Sequence, residues 1–279
     1  MLKLRKLYLG LAVLLVLALT VVACGEEEAE IPELADGKLQ AGSDITWAPF
    51  EFFEEGSTTP TGFDVELFNA IGEKMGVEVE WVNTGFDGII PALEAERFDV
   101  IVSGMTHTAK RDEVIDFVDY YFAGITLIVP KGNPRNIHSM DDLSGLSVAA
   151  VLGTTWQDLL EAQNQVFEGQ GKPLIDIVLF DTDPEAVDQL RLGRVDADMN
   201  DNPVADYIVA LEPDVFESLT SEILLDAAPF GFGIREGSTE LKAALDDAIR
   251  ELIADGSYDR IIEKWGLEGG TIRGRGIYD

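Results

Sequence analysis

Residues 62–82 read GFDVELFNAIGEKMGVEVEWV, and two hydrophobic periods meet inside them. Phe63, Leu67, Ala70, Ile71 and Met75 recur at helical spacing, which lines them on one face of a helix over 63–75. Gly76 follows as a stop, because glycine enters the left-handed conformation at a helix end without a Cβ clash. Residues 77–82 then alternate apolar with charged or polar side chains, the two-residue period of a strand. A helix handed to a strand across one glycine is the connection of an α/β sheet.

Outward from this pair the same grammar repeats. Residues 38–42 start a strand, 86–95 form a short helix, and 100–102 form a buried strand. A strand over 146–152 ends in Gly153-Thr154-Thr155, which opens a helix through about residue 163. Then come a strand over 175–180, a helix over 183–192 with Pro184 in its first turn, and a strand over 195–199. The pattern closes with a strand over 230–234 and helices over 239–254 and 258–265, the last stopped by Gly266. Residues 271–279 are rich in glycine and arginine and carry no pattern. Two α/β units follow from this, without showing which elements share a sheet.

The 279-residue chain is 46% apolar, enough for a hydrophobic core and unlike a disordered chain. Charge is its outlier: 52 acidic residues against 20 basic give a net charge of −32. A nucleic-acid reader needs the opposite sign to meet phosphate, so that class is excluded. Such acidity repels anionic headgroups and keeps an exported protein dispersed. It also suits a saline habitat, where screening weakens self-repulsion.

Lys3, Arg5 and Lys6 precede an almost unbroken apolar run over 7–22, which stops at Ala23-Cys24. This reads as an export signal over 1–23. Without it, 17 basic residues face 52 acidic ones, a net charge near −35. Cys24 is the only cysteine, so neither a disulfide nor a cysteine metal site is expected. Residues 24–37 are polar and acidic without apolar period, and a disordered tether is expected there. No later apolar stretch approaches the length of a membrane span. His107 and His138 lie far apart and fit no metal spacing, so no metal or cofactor is expected. The small residue before Cys24 resembles the bacterial lipobox, which implies a diacylated Cys24 as the mature N-terminus and a lipid anchor in the membrane.

Gly62-Phe63-Asp64-Val65-Glu66-Leu67, with Ile71-Gly72 and Met75, resembles the signature of the bacterial extracellular solute-binding proteins, family 3, the polar-amino-acid receptors of ABC importers. The run from Gly42 through Asp44, Trp47 and Pro49 to Glu51 is similar to that family's first strand and loop, and Phe86-Asp87-Gly88-Ile89-Ile90-Pro91-Ala92-Leu93 to its second loop and helix. Ser103-Gly104-Met105-Thr106, with Arg111 and Asp116-Phe117, resembles its anion-binding loop. Gly153-Thr154-Thr155 and Asn200-Asp201 complete a series that covers 38–266 in order. The resemblance implies an α/β, two-lobed type II periplasmic-binding-protein fold with two hinge crossings. Lobe 1 would hold 38–124 and 226–267, lobe 2 would hold 125–225, and 268–279 would be a tail. The crossings are expected near 123–129 and 225–230.

The same resemblance assigns a site for a free amino acid. A zwitterion needs a carboxylate partner and an ammonium partner, since either charge buried alone is costly. Arg111 matches the family's carboxylate-binding arginine, whose planar fork donates two parallel hydrogen bonds; a solvated Arg beside Lys110 is the plainer reading. Thr106 adds a hydroxyl, and Thr155 adds a backbone amide at a helix start, where an ordinary cap is equally at home. Asp201 matches the acid that receives the α-ammonium, although Asp before Asn202-Pro203 is also a common helix cap. Ser103 and the Gly104 carbonyl would supply further acceptors, with Gly104 letting backbone approach the ligand. Trp47 and Phe86 match the aromatic walls that hold the ligand side chain. Asp44 matches an acid that contacts polar or cationic side chains, which leans the ligand toward arginine, lysine, ornithine or histidine, with glutamine next.

These likenesses imply an extracytoplasmic, lipid-anchored monomer that serves a membrane permease and its ATPase, and no catalytic residue. Two rivals share the fold. One is an exported cyclohexadienyl dehydratase, for which no clear general acid stands out. The other is a sensor ectodomain, which calls for a further membrane helix after the body.

Overall fold

The computed structural model describes residues 31–278. The expected signal over 1–23 and the lipidation site Cys24 lie outside the described residues. The chain runs through β1 (Lys38–Ser43), a small hairpin of β2 (Phe52–Phe53) and β3 (Pro60–Thr61), α1 (Phe63–Met75), β4 (Glu78–Asn83), α2 (Ile89–Glu94) and β5 (Val100–Ile101). It continues through β6 (Ile115–Pro130), β7 (Ser147–Val151), α3 (Thr155–Gln170), β8 (Asp176–Phe180), α4 (Asp183–Arg191), β9 (Ala197–Asp201), α5 (Asn202–Leu211) and β10 (Phe216–Ser218). The last elements are β11 (Leu225–Arg235), α6 (Thr239–Ala254) and α7 (Ser257–Trp265).

The helix–strand pair that opened the sequence reading forms within a residue of its expected bounds. Gly76 takes φ 70°, and the Gly76 and Val77 amides return to the carbonyls of Glu73 and Gly72. Main-sheet order is β4-β1-β5-β11-β6-β9-β7-β8, with β10 also on β6. Parallel strands flank β1 at one end and β7 at the other, as βαβ crossovers require.

Two long antiparallel strands join these ends. Residues 115–123 of β6 pair with β11, Ile125 pairs with both β11 and β9, and 126–128 pair with β9 and 128–130 with β10. The register of β11 breaks between Leu225 and Ala228, opposite that change of partner. A strand that leaves one neighbour and takes up another belongs to two lobes, and the chain crosses between them twice. Each lobe has its own core, Ile89, Leu93, Phe98 and Met105 in the first, Ala149, Ala186, Leu190 and Phe216 in the second.

Three expectations need correction. The helix expected to end near 163 runs to Gln170, because Phe167 is fully buried and Gly171, at φ 67°, supplies the stop. The strand expected over 195–199 is β9, two residues later, since Asp198, Asn200 and Asp201 are polar yet buried. Hydrophobicity alone pointed too early. The end of the expected disordered tether is ordered: residues 32–34 form a 3-10 turn, and Glu33 accepts from Ser238 Oγ at 2.7 Å and Arg235 Nη2 at 3.4 Å. The tail also packs. Ile272 is fully buried, Arg275 lies 4.6 Å over the Phe122 ring, and the Tyr278 hydroxyl donates to Asp246 at 2.8 Å. No helix among the described residues is long and apolar enough to cross a membrane.

Candidate functional site

Because β1 and β5 lie side by side and parallel, the loops that leave their C-terminal ends emerge together. The first carries Asp44 and Trp47. Asp44 is buried; its Oδ1 accepts from Thr46 Oγ1 at 2.9 Å and its Oδ2 from the Phe86 amide at 3.3 Å. Burial raises its pKa, against those two hydrogen bonds. Trp47 stacks on Phe50 at 4.9 Å and lies 6.1 Å from Trp156 of the second lobe. A side chain at Gly104 would start 1.9 Å from the Trp47 ring, so this glycine makes room for the indole.

Behind Asp44 a buried acidic network reaches the crossing strands. Ser103 Oγ accepts from the Asp44 amide at 3.0 Å and donates to Glu51 Oε1 at 2.8 Å. Asp64 accepts from the Gly104 amide at 3.1 Å and from the Tyr120 hydroxyl in β6. Glu51 and Asp64 are fully buried and close enough to perturb each other, and Glu51 Oε2 and Asp64 Oδ1 have no hydrogen-bond partner among the described residues. A proton held by either carboxyl would supply the donor that both atoms lack. Burial raises both carboxyls, Asp64 to about 7 and Glu51 well above the usual range.

The loop after β5 folds back to present Arg111. Its Nη1 donates to the Thr106 carbonyl at 2.8 Å, its Nη2 to the Gly153 carbonyl at 3.2 Å, and its guanidinium lies 5.4 Å over the Phe86 ring. Burial lowers its pKa to about 10, while the charges of Asp158 and Asp201 oppose the fall. It remains a cation at neutral pH. His107 braces this loop, with Nδ1 2.9 Å from Asp119 and its ring stacked 4.4 Å from Phe117.

From the second lobe come the starts of α3 and α4 and the end of β9. Thr154 caps α3: its Oγ1 accepts from the Gln157 amide at 3.5 Å and donates to the Val151 carbonyl at 2.6 Å. Thr155 therefore occupies the first helical position, where the amide has no partner within the helix. Asp201 precedes α5 with extended geometry, but its side chain makes no capping hydrogen bond. Burial pushes it up to about 8, opposed by the Trp156 indole and the Arg111 charge. Asp183 begins α4, where Oδ1 accepts from Asn200 Nδ2 at 2.5 Å. Burial pushes it up to about 7 against that bond, and the Asp44 charge adds to the rise.

All nine residues singled out in the sequence, Asp44, Trp47, Phe86, Ser103, Gly104, Thr106, Arg111, Thr155 and Asp201, line one cavity. Thr46, Glu51, Val151, Thr154, Trp156 and Asp183 line it too. Sequence reasoning missed these six as site residues. Glu51 stood inside the quoted first-loop motif, Thr154 inside the Gly-Thr-Thr turn, and Asp183 showed only as a helix start; Trp156 carried no signal. The lining sets a single guanidinium among several carboxyls, a surface that pairs one anionic group and more than one cationic group. Among the described residues no cluster of three or more His, Cys, Asp or Glu is placed to hold a metal.

Comparison with known proteins agrees with the geometry. The L-cystine-binding protein TcyJ of Escherichia coli K12 is 32% identical over 256 residues, covering 91% of this chain and 92% of TcyJ. The lysine/arginine/ornithine-binding periplasmic protein of the same strain is 31% identical over 243 residues, covering 85% and 89%. An ancestral arginine-binding protein, solved bound to arginine, superposes with a TM-score of 0.72 at 36% identity, covering 82% of this chain and 98% of that one. Residues 39–268 match the model of a single family, and with the two-lobed fold and the cleft already in place the conclusion is direct: the chain belongs to the bacterial extracellular solute-binding proteins, family 3.

Proposed function

We propose that this protein is the extracytoplasmic binding component of an ABC importer and captures a free amino acid, preferring a cationic side chain, by closure of its two lobes. One observation carries the reading: Arg111 from the first lobe and Asp201 from the second line the same cavity, so a zwitterion between them has a partner for each pole. Asp44 remains for a side-chain cation. The ligand docks first on Arg111, Thr106 and the aromatic pair; Thr155 and Asp201 then close onto its charged ends. Closure follows when the ligand binds the closed state more tightly, and no other energy source is required.

In this reading lobe 1 comprises 38–124 and 226–267, and lobe 2 comprises 125–225. Cys24 carries lipid that tethers a monomer to the membrane beside its permease and ATPase. The experiment is a thermal-shift panel of the twenty amino acids with ornithine and citrulline, since a ligand that binds only the folded form raises Tm by mass action. Arginine, lysine or ornithine should give the largest shift. A flat panel overturns the binding role. Turnover of prephenate or arogenate would instead establish a dehydratase on the same fold.

A further inference from the structure

Four carboxyls, those of Asp44, Glu51, Asp183 and Asp201, line the cavity against the guanidinium of Arg111. Arg111 and Asp201 meet the two poles of a zwitterion, and Glu51 is turned onto Ser103 and Asp64. Asp44 and Asp183 are left. They come from opposite lobes, one from the loop after β1 and one from the start of α4, and lie within electrostatic reach of each other. Asp183 is only 7% exposed and lines the cavity; Asn200 satisfies Oδ1, while Oδ2 has no hydrogen bond among the described residues and is not sealed from solvent.

Two mostly buried carboxylates that line one cavity and raise each other's energy are unfavourable until a cation arrives between them. Closing the empty cleft drives these two acids together, and closing it over a neutral side chain does no better. We propose that Asp183 determines specificity: its free oxygen, with Asp44 from the other lobe, shares the cationic end of the ligand side chain, so closure is favoured over a guanidinium or ammonium group and disfavoured over a neutral isostere. This rests on the amino-acid reading of the cleft. It differs from a purely structural use of Asp183, as an acid at a helix start held by Asn200, because only a ligand contact depends on the ligand's charge.

The test is calorimetry on the mature protein with arginine or lysine, whichever binds more tightly, against its neutral counterpart, citrulline or norleucine. Asp183→Asn should weaken the cationic ligand about tenfold or more and change the neutral one by less than about threefold. Equal loss for both ligands, or no loss for either, overturns the role of Asp183. A wild type that does not prefer the cation overturns the cationic reading itself, whatever the variant does. Combining Asp183→Asn with Asp44→Asn should cost less than the sum of the single losses, because both acids serve one group; strict additivity also counts against sharing. Should the Asn variant fail to melt cooperatively, Asp183→Ser keeps an acceptor for Asn200 and is read by the same comparison.

Discussion

The Arg111 guanidinium donates to the Gly153 carbonyl at 3.2 Å, joining the loop after β5 to the turn after β7 across the mouth of the cleft. Gly153 sits at φ 79°, and a Cβ there would lie 3.1 Å from the Asp87 backbone of the facing loop. The closed state thus depends on a residue with no side chain, at the point where the lobes meet.

Gly153→Ala should therefore impair closure more than folding. Left-handed geometry costs a non-glycine residue about 1–2 kcal/mol, and contact with Asp87 adds to this only when the cleft shuts. Affinity should fall about tenfold or more in calorimetry, with a small loss of Tm without ligand. A variant with wild-type affinity would show that the turn does not limit closure.

Arg111→Ala removes the cation from the cavity wall and leaves the ligand carboxylate buried without a partner, while Asp201 still holds the ammonium. Breaking such a buried pair costs about 3–5 kcal/mol, hence at least a hundredfold in affinity at roughly 1.4 kcal/mol per tenfold. Arg111→Lys should recover only part of it, since an ammonium cannot make the forked contact. Near-normal affinity of the Ala variant would remove Arg111 from the site.

Binding should tighten as pH rises from 6 to 7.5. Burial holds the empty site's Asp201 up to about 8, so it is mostly protonated there, while the ligand ammonium needs it ionised. Each binding event then releases a proton, and affinity climbs by up to about tenfold per pH unit. Calorimetry in two buffers of different ionisation enthalpy reads the proton directly. Proton uptake, or none, contradicts the Asp201 assignment.

Stability without ligand should run the other way. Asp64 and Asp183 are raised to about 7, so between their unfolded values near 4 and that pH the folded protein holds more protons than the unfolded chain. Raised carboxyls stabilise below the unfolded pKa, and that contribution is lost as pH rises through the folded one. Tm measured by calorimetry should be higher at pH 5 than at pH 8. The opposite order would mean these acids are ionised and paired in the fold.

Gly62 offers a test of the fold. Its φ is 133°, and a Cβ would sit 2.0 Å from the Phe50 carbonyl oxygen, which the Asp64 amide holds at 2.9 Å. Neither backbone group can yield without releasing the start of α1. Gly62→Ala should destabilise by about 2–4 kcal/mol and lower Tm by roughly 5–15 °C. A Tm within about 2 °C of wild type would show that this turn relaxes freely.

The helix over 63–75 and its glycine stop, and the helix over 239–254, were legible because their signals are local: apolar spacing and a stop at the terminus, all within a few turns of chain. Motif resemblance brought nine cavity residues to notice for a related reason, since loops at strand ends carry short, ordered strings of residues. What tertiary structure alone decided is where distant segments meet. No local signal shows that β6 trades β11 for β9 part-way along, because both neighbours arrive from later in the chain. Nor does any mark Asp183 as more than a helix start, or Asp201 as a carboxylate free of its own helix. Periodicity reports which face of an element is buried; whether a buried acid meets a ligand, a shared proton or another acid depends on the field of groups brought to it from across the fold.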